Sequence, residues 1–133
     1  MDETFREEVA LYVESADESL KVAQLNLEND FYAAAINRAY YAIFYAANAV
    51  LATQNLARSK HSGVLAVFRQ YFIKTEVLPT ELSVIYGQVM EDRQEGDYEI
   101  MTAASKDDAA YDLHQAQYFV EQVKTWLRKE NWL

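Results

Sequence analysis

The chain has 133 residues, of which 51% are hydrophobic and 25% charged, and its formal net charge is −9 at pH 7. This composition excludes a disordered chain. So acidic a protein also repels the phosphates of a DNA duplex, so we expect no duplex DNA as a partner. With three Gly, one Pro and no Cys, the sequence excludes a many-stranded barrel, a disulfide framework and Cys-ligated metals.

The first predicted helix covers about residues 3–28. Its apolar side chains recur every three or four positions, at Phe5, Val9, Tyr12, Ala16, Leu20, Ala23 and Leu27. Asp30 then suits the N-cap of a second helix, which we expect to continue to about residue 54. Because this second helix is apolar around most of its circumference, we place it in the centre of a bundle.

A polar connection over 54–60 leads to a short third helix, capped by Ser59 or Ser62 and ending near Lys74. Its predicted core side chains are Val64, Leu65, Val67, Phe68, Tyr71 and Phe72. This spacing places them on one side of the helix, towards the second helix.

Pro79 suits the first turn of a fourth helix, which we expect to end at about Arg93 because Gly96 follows closely. The residues from 94 to 104 then form the longest predicted loop. Ser105 caps the last helix, whose apolar seam is Ala109, Leu113, Ala116, Val120, Val123 and Leu127. These elements predict one all-α domain over 1–133, an up-and-down bundle of four to five helices.

Two histidines are too few for most metal sites of helical bundles. A di-iron site needs Glu three residues before each His, whereas Arg58 precedes His61 and Tyr111 precedes His114 at that spacing. No phosphate-binding Gly motif occurs, so we predict neither a metal nor a cofactor. No apolar run approaches the roughly 20 residues of a membrane helix, and we expect a cytoplasmic protein without a membrane partner.

Three segments are distinctive in their order along the chain: 35–51, which is AINRAYYAIFYAANAVL; Lys60-His61-Ser62-Gly63-Val64; and 93–98, which is RQEGDY. Over about residues 5–128, this arrangement resembles the HEPN family (higher eukaryotes and prokaryotes nucleotide-binding domain). The resemblance implies a bundle of four or five helices that commonly dimerises. It also implies a minimal nucleotidyltransferase as partner, often in a toxin–antitoxin-like pair.

Many HEPN proteins are metal-independent ribonucleases with an Arg followed by a His after four to six residues. In some, a nearby Tyr is nucleotidylated by the partner enzyme. Arg93 matches the arginine, but Tyr98, Glu99 and Ile100 stand where the His is expected. Since a phenol is a poor base near neutral pH, the resemblance implies a cleft containing Arg93 and Tyr98 rather than an evident nuclease.

In that cleft Arg93 binds phosphate through its planar guanidinium, or else forms a surface ion pair. Tyr98 stacks on a base or accepts a nucleotidyl group, or else packs on the end of the bundle. Asp97 orients these two residues, or only stabilises a turn after Gly96.

Three further candidates are basic. Lys60 and His61 lie where an anion can bind at a helix start, although His61 also suits a capping hydrogen bond. His61 is, in addition, a candidate for the missing catalytic base. Arg38 lies on the Tyr-rich second helix, where it must pair with a carboxylate or stack on a ring.

The leading hypothesis is therefore a HEPN-type accessory protein, a homodimer that contacts nucleotide or RNA near Arg93 and Tyr98 and works with a nucleotidyltransferase. One alternative is a metal-independent ribonuclease that uses Arg93 with a non-standard base, either His61 or Tyr98. Another alternative is an interaction module without a ligand.

Overall fold

The fold is known from a computed structural model that describes residues 3–57, 61–98 and 104–133; for 61, 62 and 95–98 it describes the backbone only. Five α-helices follow one another: α1 (Glu3–Glu28), α2 (Tyr32–Ala52), α3 (His61–Phe68), α4 (Thr80–Tyr98) and α5 (Lys106–Lys129). The described ranges contain no strand, so the predicted all-α bundle is confirmed. That residues 1–133 form a single domain stays a prediction.

Helix α2 lies at the centre, as its composition predicts. Every residue from 46 to 52 is buried, and α2 packs against α1, α3, α4 and α5. Its many alanines let the neighbouring helices approach closely, while Tyr40, Ile43 and Phe44 fill the space between them. No helix in the described ranges is long and apolar enough to cross a bilayer.

The two outer helices α1 and α5 follow their predicted seams closely. The whole predicted α5 seam is buried, and the Ser105 hydroxyl accepts a hydrogen bond from the Asp108 amide at 3.0 Å, which confirms the cap. On α1 the buried line is Val9, Val13, Ala16, Ser19 and Ala23. The predicted α1 residues Tyr12, Leu20 and Leu27 are half-buried at its edges.

The predicted cap at Asp30 is wrong. Asp30 has a φ of 66°, and α2 begins two residues later, after Phe31, which makes no side-chain capping bond. The left-handed conformation reverses the chain between α1 and α2, a role that Asp tolerates better than most residues. Its carboxylate instead accepts a hydrogen bond from the Tyr32 hydroxyl at 3.0 Å.

The third helix changes its winding halfway. It begins at His61, and from Arg69 to Ile73 it continues as a π-helix, with the Lys74 amide bonded to the Arg69 carbonyl at 2.9 Å. The wider turn shifts the phase of the helical pattern. Phe72 is therefore buried while Tyr71 is 40% exposed, so the prediction that Tyr71 faces the core is wrong.

The π-helix also brings Arg69 against α4. Its Nε donates to the Ser83 hydroxyl at 2.7 Å, and its guanidinium lies over Gly87. A Cβ at position 87 would lie 3.0 Å from the Arg69 Nη2 atom. Gly87 therefore serves a close approach between two segments rather than a turn.

Helix α4 starts directly after Pro79, as predicted, but it does not end at Arg93. It continues through Gly96 to Tyr98, so the prediction of a loop is wrong for residues 94–98. One glycine weakens a helix by only about 1 kcal/mol, too little to end one whose neighbouring residues pack well. Arg93 therefore lies inside a helix instead of beside a loop. Residues 99–103 are outside the described part of the chain.

Candidate functional site

Arg93 is held against the central helix by aromatic rings. Its guanidinium carbon lies 5.0 Å from the ring centre of Tyr40 and 5.6 Å from that of Tyr41. Tyr40 is buried, whereas Tyr41 and Arg93 are half-buried. A cation over a ring face is stabilised by the ring quadrupole by about 0.5–2 kcal/mol, which offsets part of its lost hydration.

Arg38 lies on the same aromatic surface. Its guanidinium carbon is 4.5 Å from the Tyr41 ring centre, and its Nε and Nη2 donate to the Asn37 Oδ1 at 3.3 and 3.1 Å. Within the described residues no carboxylate lies within 4.0 Å of Arg38, so of the two predicted environments the aromatic stack is the one found. We call Arg38, Tyr40, Tyr41 and Arg93 the Tyr41 cluster.

The Tyr41 cluster concentrates positive charge on an acidic protein. Two guanidinium groups share one half-exposed ring, although the chain as a whole carries a formal charge of −9. Like charges repel each other, and a bound anion reduces that repulsion. The cluster is therefore suited to a phosphate group, which accepts hydrogen bonds from planar guanidinium donors.

The phenols beside Arg93 are donors, not bases. Burial raises the pKa of Tyr40 to about 12, although the nearby Arg93 charge partly opposes this shift. Burial also raises the pKa of Tyr86, whose ring packs edge-on against Tyr40 with centres 6.3 Å apart. Both hydroxyls therefore stay protonated at neutral pH and cannot take a proton from a ribose.

A small cavity opens beside the Tyr41 cluster, between α1 and α2. Its volume is about 150 Å³, and its lining is Ser15, Glu18, Ser19, Val22, Arg38 and Tyr45. Pockets that enclose a whole organic ligand usually measure about 300–1,000 Å³. The cavity therefore has room for a small group such as a phosphate, and a base or ribose must lie on the open surface.

The other predicted site residues are only partly described. His61 is the first residue of α3, and Asp97 and Tyr98 form the last turn of α4, but their side chains are outside the described part of the structure. Lys60 lies outside it altogether. Positions 93 and 98 are five residues apart on one continuous helix, which separates them by about 140° around its axis.

The second histidine, His114, lines a different surface. With Glu81, Val84, Ile85, Gln115 and Tyr118 it borders a groove of about 400 Å³ between α4 and α5. Ile85 precedes Arg93 by eight residues, or about 12 Å of helix. His114 thus belongs to a groove some distance from the Tyr41 cluster.

One pair of residues was missed by sequence reasoning, namely Asp92 and Asp112. Asp112 is 1% exposed, and neither of its carboxylate oxygens accepts a hydrogen bond from a donor. Burial, and then the adjacent Asp92 carboxylate, raise its pKa to about 8. The signal was available: Asp112 lies between Ala109 and Ala116 at the helical spacing of the buried seam.

Among the side chains that the structure describes, no group of three or more His, Asp or Glu is arranged to hold a metal ion.

Comparison with known proteins identifies a matching family. The family model described as the HEPN domain matches residues 9–126. A protein of Methanocaldococcus jannaschii named "Putative toxin MJ0142" is 34% identical over 98% of this chain and 89% of its own length. Another, "Putative toxin MJ0605" of the same organism, is 33% identical over 97% of this chain and 96% of its own length. A "UPF0332 protein" of Thermotoga maritima is 39% identical over 86% of this chain and 76% of its own.

Proposed function

The chain belongs to the HEPN family, and on this premise we propose that it binds nucleotide or RNA through the Tyr41 cluster. It would act as a homodimer together with a nucleotidyltransferase-like partner protein. The observation that carries the proposal is the meeting of two guanidinium groups on one half-exposed tyrosine ring. The cytoplasm stays its predicted location.

The chemistry of the cluster supports this ligand class. Guanidinium groups bind phosphate oxygens in a planar, two-pronged geometry that an ammonium group cannot reproduce. The half-buried Tyr45, whose ring centre lies 6.1 Å from that of Tyr41, offers a ring on which a base can stack, and such stacking tolerates any base. The small cavity beside Arg38 has the volume of a phosphate but not of a whole nucleotide, although the Glu18 carboxylate in its lining opposes an anion there. We therefore favour a flexible single strand or a free nucleotide as ligand.

Substitutions of the two arginines test the proposal. We expect Arg38→Ala to weaken the binding of a fluorescent single-stranded RNA at least about tenfold, because one charge-assisted phosphate contact is lost. Arg93→Lys keeps the charge but loses the planar pair of guanidinium donors, and we expect several-fold weaker binding. Fluorescence anisotropy gives the dissociation constants, and circular dichroism verifies that each variant is folded.

Arg128→Ala provides the matched control. Arg128 is exposed and lies 3.6 Å from Glu121 on α5, so its loss removes one positive charge outside the cluster. If Arg128→Ala weakens RNA binding as much as Arg38→Ala, the effect comes from net charge and the proposed site is wrong. If wild-type protein binds neither RNA nor ATP, the interaction module without a ligand becomes the better account.

A second copy of the chain is the proposed occupant of the surface beside the cluster. On α1 the apolar side chains Leu11, Val22 and Leu25 are 64%, 36% and 57% exposed, and Val22 lines the same cavity as Arg38. Exposed apolar side chains on one helix, one of them beside the cluster, suit a symmetric interface between two copies. A dimer also offers a way for position 98 of one copy to meet Arg93 of the other.

Light scattering after size exclusion tests the dimer. We expect Leu25→Asp to give monomers at concentrations where the wild type is dimeric, since a carboxylate in an apolar interface is strongly unfavourable. Val84→Asp is the control, because Val84 is equally exposed, at 65%, but lies on α4 beside the other groove. A monomeric wild type would contradict the proposed dimer.

The partner enzyme would act on Tyr98. In this reaction the Tyr98 hydroxyl oxygen attacks the α-phosphate of a nucleoside triphosphate, pyrophosphate leaves, and the phenolic proton passes to a base of the partner. Incubation with a minimal nucleotidyltransferase and ATP should add the mass of one nucleotidyl group. Tyr98→Phe should abolish this increase, and an unchanged mass shift in Tyr98→Phe would place the modification elsewhere.

The names of two relatives favour one alternative, since a toxin of this family could act as a ribonuclease. Such an enzyme would combine Arg93 with His61 or Tyr98 as a non-standard base. Burial raises the pKa of Tyr40 and of Tyr86, so neither of these two phenols is a candidate base. Incubation of metal-free protein with RNA decides the matter, because cleavage that is lost in Arg93→Lys would establish the nuclease.

A further inference from the structure

The contact between α4 and α5 contains two carboxyl groups that face each other. Asp92 precedes Arg93 on α4 and is half-buried, with its Oδ1 accepting a hydrogen bond from the Gln88 amide at 3.1 Å. Asp112 on α5 is 1% exposed, and within the described part of the chain no donor reaches either of its oxygens. An ionised carboxylate buried in this way is strongly unfavourable unless something compensates its charge.

Among the described side chains, the charged groups that act on Asp112 from its own helix and from α4 include no cation. The groups that raise its pKa are Asp92 from α4 and Asp108 from α5, both acidic. One turn earlier on α5, Ala109 packs on the apolar Ala35 and Ile36 of α2. The Arg93 guanidinium, on the residue after Asp92, lies over the Tyr40 and Tyr41 rings of α2. Two acids this close cannot both ionise readily.

We propose that Asp112 keeps its proton at neutral pH and donates it to the Asp92 carboxylate, and that this shared proton holds the Arg93-bearing part of α4 against α5. A protonated carboxyl group is a hydrogen-bond donor, so the Asp112 oxygen that carries the proton gains a partner and the Asp92 carboxylate accepts the bond. Loss of the proton leaves two negative charges at the contact, and their repulsion draws water in and loosens the helix that carries Arg93. The effect on ligand binding rests on the proposed function, whereas the shared proton does not.

The sign of the pH dependence follows from the direction of the shift. The pKa of Asp112 in the folded chain, about 8, lies above its ordinary value of 3.8. Between these values the folded state holds a proton that the unfolded state has released. The stabilisation is complete below about pH 4 and is lost as the pH rises through 8, so this group raises the unfolding equilibrium constant by up to about tenfold per pH unit.

Two measurements on the intact protein test the shared proton. In the wild type, the carboxyl ¹³C signal of Asp112 should titrate with a midpoint near 8, and a midpoint below 5 would overturn the proposal. Urea unfolding gives the free energy of unfolding, which should change less between pH 5 and 9 in Asp112→Asn than in the wild type. Asp107→Asn, an exposed change on the same helix, should keep the wild-type dependence, and His titration is common to all three proteins.

The proposed effect of the shared proton on the packing of α4 against α5 is tested separately. At pH 9, amide hydrogen exchange over residues 88–94 should be several-fold faster in the wild type than in Asp112→Asn, because only the wild type carries two charges there. Equal exchange rates at pH 9 would show that the shared proton does not keep α4 packed against α5, even if Asp112 titrates near 8. Asp92→Asn provides a second variant with the same expectation if Asp112→Asn folds poorly.

RNA affinity then links the pair to the proposed function. The wild type should lose several-fold more affinity than Asp112→Asn between pH 6.5 and 9. If Asp112 titrates as expected but no RNA binds at any pH, the proposed function fails while the shared proton stands. If RNA binds with the same pH dependence in both proteins, the link between the pair and Arg93 is wrong.

Discussion

Two neighbouring residues of α4 meet opposite electrostatic environments. Arg93 faces α2, where the aromatic rings of Tyr40 and Tyr41 stabilise its charge. Asp92 faces α5, where a second carboxyl group is buried without a donor. On the α2 side a fixed charge is retained, while on the α5 side a charge is removed by a proton. The charge on the α2 side is therefore the same at pH 5 and at pH 9, whereas the charge on the α5 side differs between these two pH values.

The difference also separates ligand binding from stability. Guanidinium groups keep their charge and donate hydrogen bonds to anions in a planar geometry, which is the role proposed for Arg38 and Arg93. A carboxyl group that is fully buried contacts no ligand and acts only through the packing of its helix. We therefore expect substitutions on the α2 side to change affinity, and those on the α5 side to change stability with pH.

The largest stability effect should come from Tyr40, the buried ring over which the Arg93 guanidinium lies. Tyr40 is fully buried and packs against Tyr41, Phe44 and Tyr86. Tyr40→Ala should lower the free energy of unfolding by about 3–5 kcal/mol, since it leaves a large cavity and removes the ring under Arg93. Urea unfolding measures the loss, and a change below about 1 kcal/mol would show that Tyr40 does not stabilise the packing of α4 against α2.

On the opposite side, an apolar substitution should stabilise the protein at high pH. Asp112→Leu removes a buried carboxyl group that is ionised at pH 9, so the free energy of unfolding should rise by about 1–3 kcal/mol there. At pH 5, where Asp112 is protonated in the folded chain, the same change should have little effect or a small negative one. Equal effects at pH 5 and 9 would contradict the contrast between the two sides.

The smallest stability effect should come from Arg38. Arg38→Met keeps the apolar stem but removes a half-exposed charge, so the free energy of unfolding should change by less than about 1 kcal/mol. RNA affinity should nevertheless fall about tenfold, as for Arg38→Ala. A stability loss above about 2 kcal/mol would assign Arg38 to the core rather than to a binding surface.

The helices were largely predictable because their apolar spacing is regular. The α5 seam and the Ser105 cap follow from local sequence alone. The errors lie where tertiary packing competes with local signals. Gly96 suggests a helix end, yet α4 continues to Tyr98, and the π-helix after Phe68 moves Tyr71 out of the core. Asp30 resembles a cap but adopts the left-handed conformation of a turn.

The site was predictable in part. Arg93 and Arg38 were candidates from the sequence, but their common ring is a tertiary contact between α2 and α4 that no spacing rule gives. Asp112 differs, because its position in the apolar seam of α5 marked it as a buried acid. Its partner Asp92 again depends on how α4 packs against α5. For Tyr98, His61 and Asp97 the predicted roles stay predictions.

The most direct test of the account is an NMR titration that follows the arginine side-chain Nε signals while a short single-stranded RNA is added. The account predicts that the signals of Arg38 and Arg93 shift together, with one dissociation constant, while the signal of Arg128 stays in place. Signals of Arg38 and Arg93 that do not move, or an equal shift of Arg128, would contradict the assignment of the Tyr41 cluster as the binding site.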